Sequence, residues 1–431
     1  MRSSRTSIQK FTSCFLPSST ILQHETTYDL CVQYLLFQLC RNDTLITPAI
    51  ELLKTSSKYP WGGAPLQLLA KQMIFPYFCA GETIEDCRHV VDRLQRSGVS
   101  SLIDHSVEEC ETPEEWMMNV ENKKKLLHNC STQLSSRVAF VPVKATSMMS
   151  PTLLETMTAI IRQHGKETYV DEEYNPIPHL TTNERVELDV AHNNLSKVCH
   201  EAQLLNIPIL LDAEQSHRQP GIDYVCRRLQ RQFNANADNA DADTIVYNTY
   251  QMYMKCSGRR IQRDLRDSVQ NGYRMGAKVV RGAYLSSEAA RTQETGIEYP
   301  LWENRHETDI NYNQSVLHLL ESIANGSHAS LLIATHNRSS VEHAIESMTQ
   351  HQLVPNHSDI HFAQILGMCD VLTLSLGALG YNAHKLLLYG DFDEVFPWLL
   401  RRLDENRDMM GAAQMELPLV HAELKRRLIK Y

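Results

Sequence analysis

The stretch Lys278-Val279-Val280-Arg281-Gly282-Ala283-Tyr284 decides the fold. Preceded by Ala277, it reads as a short buried strand whose tip carries charge, a glycine and an aromatic ring. Gly282 lets the backbone come close to a neighbouring group. A strand tip of this chemistry suits a large, planar, anionic ligand.

Similar runs recur along the chain. Ser101–Ile103, Arg137–Val143, Ile207–Leu211, Thr244–Tyr247, Ala277–Val280, Leu331–Ala334, Ile360–Ala363 and Lys385–Leu388 are short and apolar, and each ends in polar residues. Amphipathic helical stretches separate them, which is the pattern of buried parallel strands. Eight such units predict an α/β chain folded as a distorted (β/α)8 TIM-type barrel with N-terminal helical segments and insertions. The competing layout is an open doubly wound sheet, and the count of eight favours the barrel, whose site lies at the C-terminal strand ends.

The totals agree with one such unit. The chain has 431 residues, 42% of them apolar, and a net charge of −9 from 42 basic and 51 acidic residues. A nucleic-acid partner calls for a basic excess and is not expected. The 11 cysteines form no CxxC pair and read as free thiols. No apolar run approaches the ~18 residues of a spanning helix, so membrane contact is expected to be peripheral. Neither a GxGxxG nor a P-loop is present. Residues 1–24 contain no Asp or Glu but carry Arg2, Arg5 and Lys10 among many Ser and Thr, the composition of a mitochondrial transit peptide.

Boundaries follow from punctuation. Residues 25–98 read as N-terminal helical segments, broken at Pro60-Trp61-Gly62-Gly63, with a helix from Glu82 to Arg96 capped by Thr83 and stopped at Ser97-Gly98. Residues 99–408 hold the barrel, with insertions near 146–203 and 234–243. The first insertion carries a helix from about Asn183 to Ala202. The second, Asn234–Asp243, is low-complexity and expected to be a surface loop. It lacks the glycine and terminal glutamate of a calcium loop, and no metal is expected. Residues 409–431 form a basic, amphipathic C-terminal helix.

The eight tips carry the chemistry. In order they are Asp104-His105-Ser106-Val107-Glu108, Lys144, Asp212-Ala213-Glu214, Asn248-Thr249-Tyr250-Gln251, Arg281-Gly282-Ala283-Tyr284, Thr335-His336-Asn337, Gln364-Ile365-Leu366-Gly367-Met368 and Tyr389-Gly390. Each alone has an ordinary structural explanation, such as a helix cap or a solvated side chain. Together they match a heterocycle rimmed by hydrogen-bonding groups. After Pro397, Trp398 shares a helix face with Arg401 and Arg402, whose guanidinium forks suit a carboxylate.

These tips, in this order, resemble the proline dehydrogenase family from about Phe75 to Arg407. The matching pieces are Ile103–Glu108, Asp212-Ala213-Glu214, Asn248–Gln251, Lys278–Tyr284, Ala334–Asn337, Phe362-Ala363-Gln364 and Leu400-Arg401-Arg402 with Glu405-Asn406. The resemblance implies a flavoenzyme that oxidises L-proline to Δ1-pyrroline-5-carboxylate and passes electrons to quinone, peripherally at the matrix side of the inner mitochondrial membrane. It implies that FAD is held by Asn248, Lys278, Arg281, Gly282, Ala283, Thr335, His336, Asn337 and Gln364, with Lys278 near flavin N5. Lys144, Arg401 and Arg402 would hold the substrate carboxylate. Tyr284, Tyr389, Leu366 and Trp398 would enclose the ring, with Asp212 beside it. Glu108 would pair with Arg401 as a gate, and Asp104 would steady Lys144.

Two residues depart from the family pattern. Lys278 stands where many bacterial members have Arg, which keeps the charge and loses the fork. Trp398 stands where Tyr is usual. The close alternative is a hydroxyproline dehydrogenase on the same scaffold, against which a bulky Tyr389 argues, because it favours proline over 4-hydroxyproline. A metal-dependent hydrolase using Asp212, Glu214 and His336 lacks HxH or HExxH spacing. A barrel that has lost catalysis and binds partners is the non-enzyme alternative, disfavoured by the intact cations.

Overall fold

The computed structural model describes residues 18–40, 68, 70–105, 109–134, 138–164, 175–235, 243–396 and 409–429. The first helices and strands are α1 (Ser18–Ile21), α2 (Thr27–Cys40), α3 (Phe75–Phe78), β1 (Cys79–Gly81), α4 (Ile84–Arg96), β2 (Val99–His105), α5 (Pro113–Asn129), β3 (Val138–Val143), α6 (Pro151–His164) and α7 (Thr182–Leu205). There follow β4 (Ile209–Leu211), α8 (Gln219–Phe233), β5 (Val246–Gln251), α9 (Ser257–Asn271), β6 (Met275–Val280), α10 (Leu285–Thr295), α11 (Arg305–Ala324) and β7 (Ala329–Ala334). The chain ends with α12 (Arg338–Gln350), β8 (Ile360–Ile365), α13 (Asp370–Ala378), β9 (Ala383–Tyr389) and α14 (Met409–Ile429).

Helix starts are written locally. Thr83, Thr112 and Thr181 each cap a helix and exchange hydrogen bonds with Asp86, Glu115 and Glu184 three residues on. Each reciprocal cap satisfies two otherwise open N–H groups and contributes on the order of 1 kcal/mol. At the other end of α4, Gly98 has φ +73°, and a Cβ there would meet the Gly377 carbonyl oxygen at 2.9 Å. The Ser97-Gly98 stop is therefore both a left-handed turn and a tight backbone contact.

The chain divides into two compact units, residues 107–361 and residues 1–106 with 362–431. In the first, β3 to β7 pair in parallel with their neighbours in chain order. The two faces of this sheet differ. Tyr247 packs its ring on Phe140 of β3 at 5.2 Å and bonds Ser330 of β7 at 2.7 Å, so it lies on the face away from the helices. Asn248 and Tyr250 point the other way, into the helix layer, where they bond Asp223 and Asp264. That layer is charged yet buried: Asp223 pairs with Arg260, and Asp264 pairs with Arg227 and Arg263. Buried charges persist only when paired and hydrogen-bonded.

In the second unit, β9 runs parallel to β2 from Val99↔Ala383 to His105↔Tyr389 and to β8 from Phe362↔Ala383 to Ile365↔Leu386. β1 joins β9 further on, at Cys79↔Leu388. This ninth strand lies inside the segment read as helical, and three residues are too short to display alternation. Helices α2 and α14 pack against each other, with Tyr34 stacked on His421 at 5.7 Å and Arg427 donating to the carbonyls of Leu22 and Glu25.

Two sequence expectations need correction. Several strands run further than their apolar cores, so Asn248–Gln251, Gln364-Ile365 and Tyr389 lie within strands instead of in the loops after them. Asn234 is no surface loop residue. It is 1% exposed, and its amide brackets β5, bonding the Ile245 and Val246 N–H groups and the Val246 and Arg274 carbonyls. Residues 236–242 lie outside the described residues, as does the Pro60–Gly63 break.

Candidate active site

In the unit of residues 107–361 the tips on the inner face converge. Thr249 of β5 is in register with Lys278 of β6, so their side chains share the face that carries Tyr247. Lys278 Nζ reaches Asp212, just past β4, at 2.7 Å. The pair therefore spans the β5 strand, above Thr249. Thr249 is buried, and its hydroxyl has no hydrogen-bond partner among the described residues. Gln251, two residues on, donates to the Glu214 carbonyl at 2.8 Å and accepts from the Ala283 N–H at 3.2 Å, tying three tips together.

Glu214 is buried and accepts hydrogen bonds from the Thr146 hydroxyl and N–H. Burial pushes its carboxyl above the ordinary value, against these bonds and the charges of Arg218 and Lys144. Lys144 itself follows β3 directly and precedes a short 3-10 turn. The loop after β4 is further anchored where the Ser216 hydroxyl donates to Glu288 of α10 at 2.7 Å.

Arg281 takes a different course. Its guanidinium lies over the Tyr312 ring at 4.3 Å. It pairs with Asp309 of α11 at 2.7 Å and donates to the hydroxyls of Thr335 and Ser340. Thr335 also accepts from the Asn337 N–H, and Asn337 caps α12 by accepting from the Ser340 N–H at 3.2 Å. Arg281, Thr335 and Asn337 thus form one polar assembly at the N-terminus of α12, a place that favours anions. His336 lies between Thr335 and Asn337. Gly282 has φ +141°, and a Cβ there would sit 2.5 Å from the Tyr253 ring. The close approach that this glycine permits is to Tyr253. Ala283 follows it, and Tyr284 opens α10.

In the other unit, Asp104 and His105 end β2 and Tyr389 ends β9, with the His105 and Tyr389 rings 5.1 Å apart. Leu366 is buried just past β8. Gln364 is buried and accepts from Thr373 of α13 at 2.7 Å, so its amide faces the helices. Asn248 and Gln364, expected at a ligand, are both bonded on the helix side. The inward residues without an assigned role in the sequence are Thr249 and Gln251, legible only through the two-residue alternation counted from Tyr247. Glu108, Trp398, Arg401 and Arg402 lie outside the described residues. Among the described residues no cluster of His, Cys, Asp and Glu has metal-binding geometry, and no helix is long and apolar enough to cross a membrane.

The family model described as proline dehydrogenase matches residues 87–414. The chain belongs to the proline dehydrogenase family. Among relatives of this family member, a mitochondrial proline dehydrogenase 2 of Arabidopsis thaliana is 31% identical over 382 residues, covering 84% of this chain and 79% of the relative. A hydroxyproline dehydrogenase of Rattus norvegicus is 29% identical over 428 residues, covering 94% and 92%. The crystal structure of proline utilization A from Bdellovibrio bacteriovorus superposes with a TM-score of 0.69 at 15% identity, covering 94% of this chain. This family member spans only 41% of that longer chain. The likeness shows the fold, an α/β barrel of the (β/α)8 TIM type, as the alternation of strand and helix predicts.

The donor set fits a flavin. An orphaned buried hydroxyl at Thr249, a cation at Lys278 and an arginine at a helix N-terminus are the groups that a flavin ring and a pyrophosphate require.

Proposed function

We propose that this proline dehydrogenase family member is an FAD-dependent enzyme that oxidises L-proline to Δ1-pyrroline-5-carboxylate and delivers the electrons to quinone. The observation that carries this reading is the Lys278–Asp212 pair on the inner face, beside an orphaned Thr249 hydroxyl. Held by these residues, FAD would supply the acceptor for the hydride that leaves C5 of proline. Lys278 holds a positive charge where negative charge develops, and Asp212 fixes the position of that ammonium. Arg281, Thr335, His336 and Asn337 serve the pyrophosphate side of the cofactor. Gly282 and Ala283 bring backbone alongside it.

Proline offers one carboxylate, one amine and an apolar ring. Lys144, Arg401 and Arg402 complement the carboxylate, and Tyr284, Tyr389, Leu366 and Trp398 complement the ring. The acid-free segment of residues 1–24 and relatives named mitochondrial support a mitochondrial address, with peripheral contact to the matrix side of the inner membrane.

A hydroxyproline substrate is the second reading, favoured by relatives of that name that match 94–95% of this chain. The Tyr389 ring, packed beside His105, leaves less room for a ring hydroxyl and speaks for proline.

One experiment separates these. Visible absorbance of the purified protein is recorded before and after anaerobic L-proline, then with 4-hydroxy-L-proline. Flavin bands that bleach with proline support the first reading. Bleaching with hydroxyproline alone selects the second, and protein that takes up no added FAD overturns both.

A further inference from the structure

Helix α2 is apolar on two sides. Leu30 and Phe37 are buried, as the inner face of a packed helix requires. Its outer face is apolar as well. Tyr28, Cys31 and Leu35, spaced three and four residues apart, are all exposed, Tyr28 at 69% and Leu35 at 51%. The single charge of the helix, Asp29, is engaged by Arg93 at 2.8 Å.

α14 lies antiparallel beside α2. Tyr34 stacks on His421, and Arg427 donates to the Glu25 carbonyl at 2.8 Å and the Thr27 hydroxyl at 3.3 Å. The start of α2 therefore meets the end of α14. At that end Leu428 is 67% exposed and Ile429 72%, while Val420, Glu423 and Leu424 are buried.

The charge at this end is positive. From Leu417 to Ile429 the only acid is Glu423, which is buried and accepts from both Arg426 and Arg427. Lys425 beside them is exposed. Three cations stand against one carboxylate, on a chain whose net charge is −9. The nearby Glu25 carboxylate is engaged by Arg93 at 3.2 Å.

These features select a partner. A large apolar side chain that is two-thirds exposed projects from the surface and lines no groove, so it offers a folded partner no pocket. A second copy of the chain would bring a second set of the same cations into the contact. A bilayer takes projecting apolar and aromatic groups into its head-group region, and cations beside them reach anionic head groups with their stems along the hydrocarbon.

We propose that the outer face of the α2–α14 pair docks on an anionic membrane surface, with Tyr28, Leu35, Leu428 and Ile429 entering the head-group region and Lys425 and Arg426 meeting lipid phosphates. The inference rests on the peripheral membrane contact proposed above and assigns it a surface.

The test uses the full chain loaded with FAD and vesicles of phosphatidylcholine, alone or mixed with phosphatidylglycerol as the anionic lipid. Co-flotation on a density gradient measures binding. The unaltered chain is expected to float with the mixed vesicles, to stay behind with the neutral ones, and to be released by salt. The double variant Leu428→Glu/Ile429→Glu, and separately Lys425→Glu, are expected to bind the mixed vesicles at least about tenfold more weakly. Val269→Glu, at a comparably exposed site on α9, is expected to bind as the unaltered chain does. Residues 1–24 are common to every variant, so the differences read the α2–α14 surface. Melting temperature, flavin content and the rate of flavin bleaching by proline are expected to stay unchanged throughout. Undiminished flotation of both surface variants, or an equal loss in Val269→Glu, overturns the surface assignment alone. A double variant that floats normally but halves in mass by sedimentation assigns the face to a contact between copies of the chain and also overturns it. An unaltered chain that never floats overturns the peripheral contact itself, and one that floats but is not bleached by proline overturns the oxidation and leaves the surface standing.

Discussion

The ammonium of Lys278 lies 2.7 Å from the carboxylate of Asp212, across the strand that carries Thr249. Two charges from β6 and the end of β4 meet on the inner face, and neither is more than about a quarter exposed. A charge-assisted bond in such a place is worth roughly 1.5–3 kcal/mol.

Lys278→Met is therefore expected to slow proline-dependent flavin bleaching by at least about tenfold, on the scale of ~1.4 kcal/mol per decade. Lys278→Arg restores the charge and is expected to recover most of the rate. Anaerobic stopped-flow absorbance measures both. A Met variant that bleaches at the unaltered rate removes Lys278 from the chemistry.

Arg281 joins Asp309, Thr335, Ser340 and the Tyr312 ring, so its loss has two consequences. Arg281→Ala leaves Asp309 without this partner and lowers the melting temperature. It also lowers the flavin-to-protein ratio after gel filtration. A variant that melts lower yet retains full flavin shows Arg281 to be a structural brace only.

Asn248 and Gln251 are three residues apart and face opposite ways. Asn248→Ala strips a donor from the buried Asp223, which also accepts from Gln219 and Arg260. The expected cost is about 1–3 kcal/mol of stability in urea unfolding, with the flavin spectrum unchanged. Gln251→Ala frees the Ala283 N–H and the Glu214 carbonyl and is expected to alter flavin binding. The reverse pattern would place Asn248 at the cofactor after all.

Glu416 of α14 is buried, and its carboxylate accepts from the Val371 N–H at 3.1 Å. Burial, with Asp370 beside it, pushes its carboxyl from 4.5 up to about 8. Between these values the folded chain holds a proton that the unfolded chain has released. Stability is therefore greatest below about 4.5, falls as pH rises toward 8, and stays reduced above it. The slope approaches ~1.4 kcal/mol per pH unit for a single group. Glu416→Gln is expected to flatten the decline in melting temperature between pH 6 and pH 8, and an unchanged slope assigns that decline to other groups.

Much of the fold is legible in the amino-acid sequence by itself. Short apolar runs alternating with amphipathic stretches predict the β/α repeat, because a parallel strand buried on both faces must be apolar and must be followed by a crossover. Caps such as Thr83 and the stop at Gly98 are equally local, since the Thr83 partner lies three residues on and a glycine suits the left-handed turn. The ordered tips around Lys278 and Thr335 are enough to suggest the family.

Tertiary structure alone decides which way each tip residue faces. A strand with both faces buried shows no polar side in its sequence, so Asn248 and Gln364 read as well for a ligand as for a helix. The partners show one bond of each amide on the helix side, to Asp223 for Asn248 and to Thr373 for Gln364. The same holds for Lys278 with Asp212. These groups are 66 residues apart in the chain, and their energy depends on a distance that no local pattern encodes.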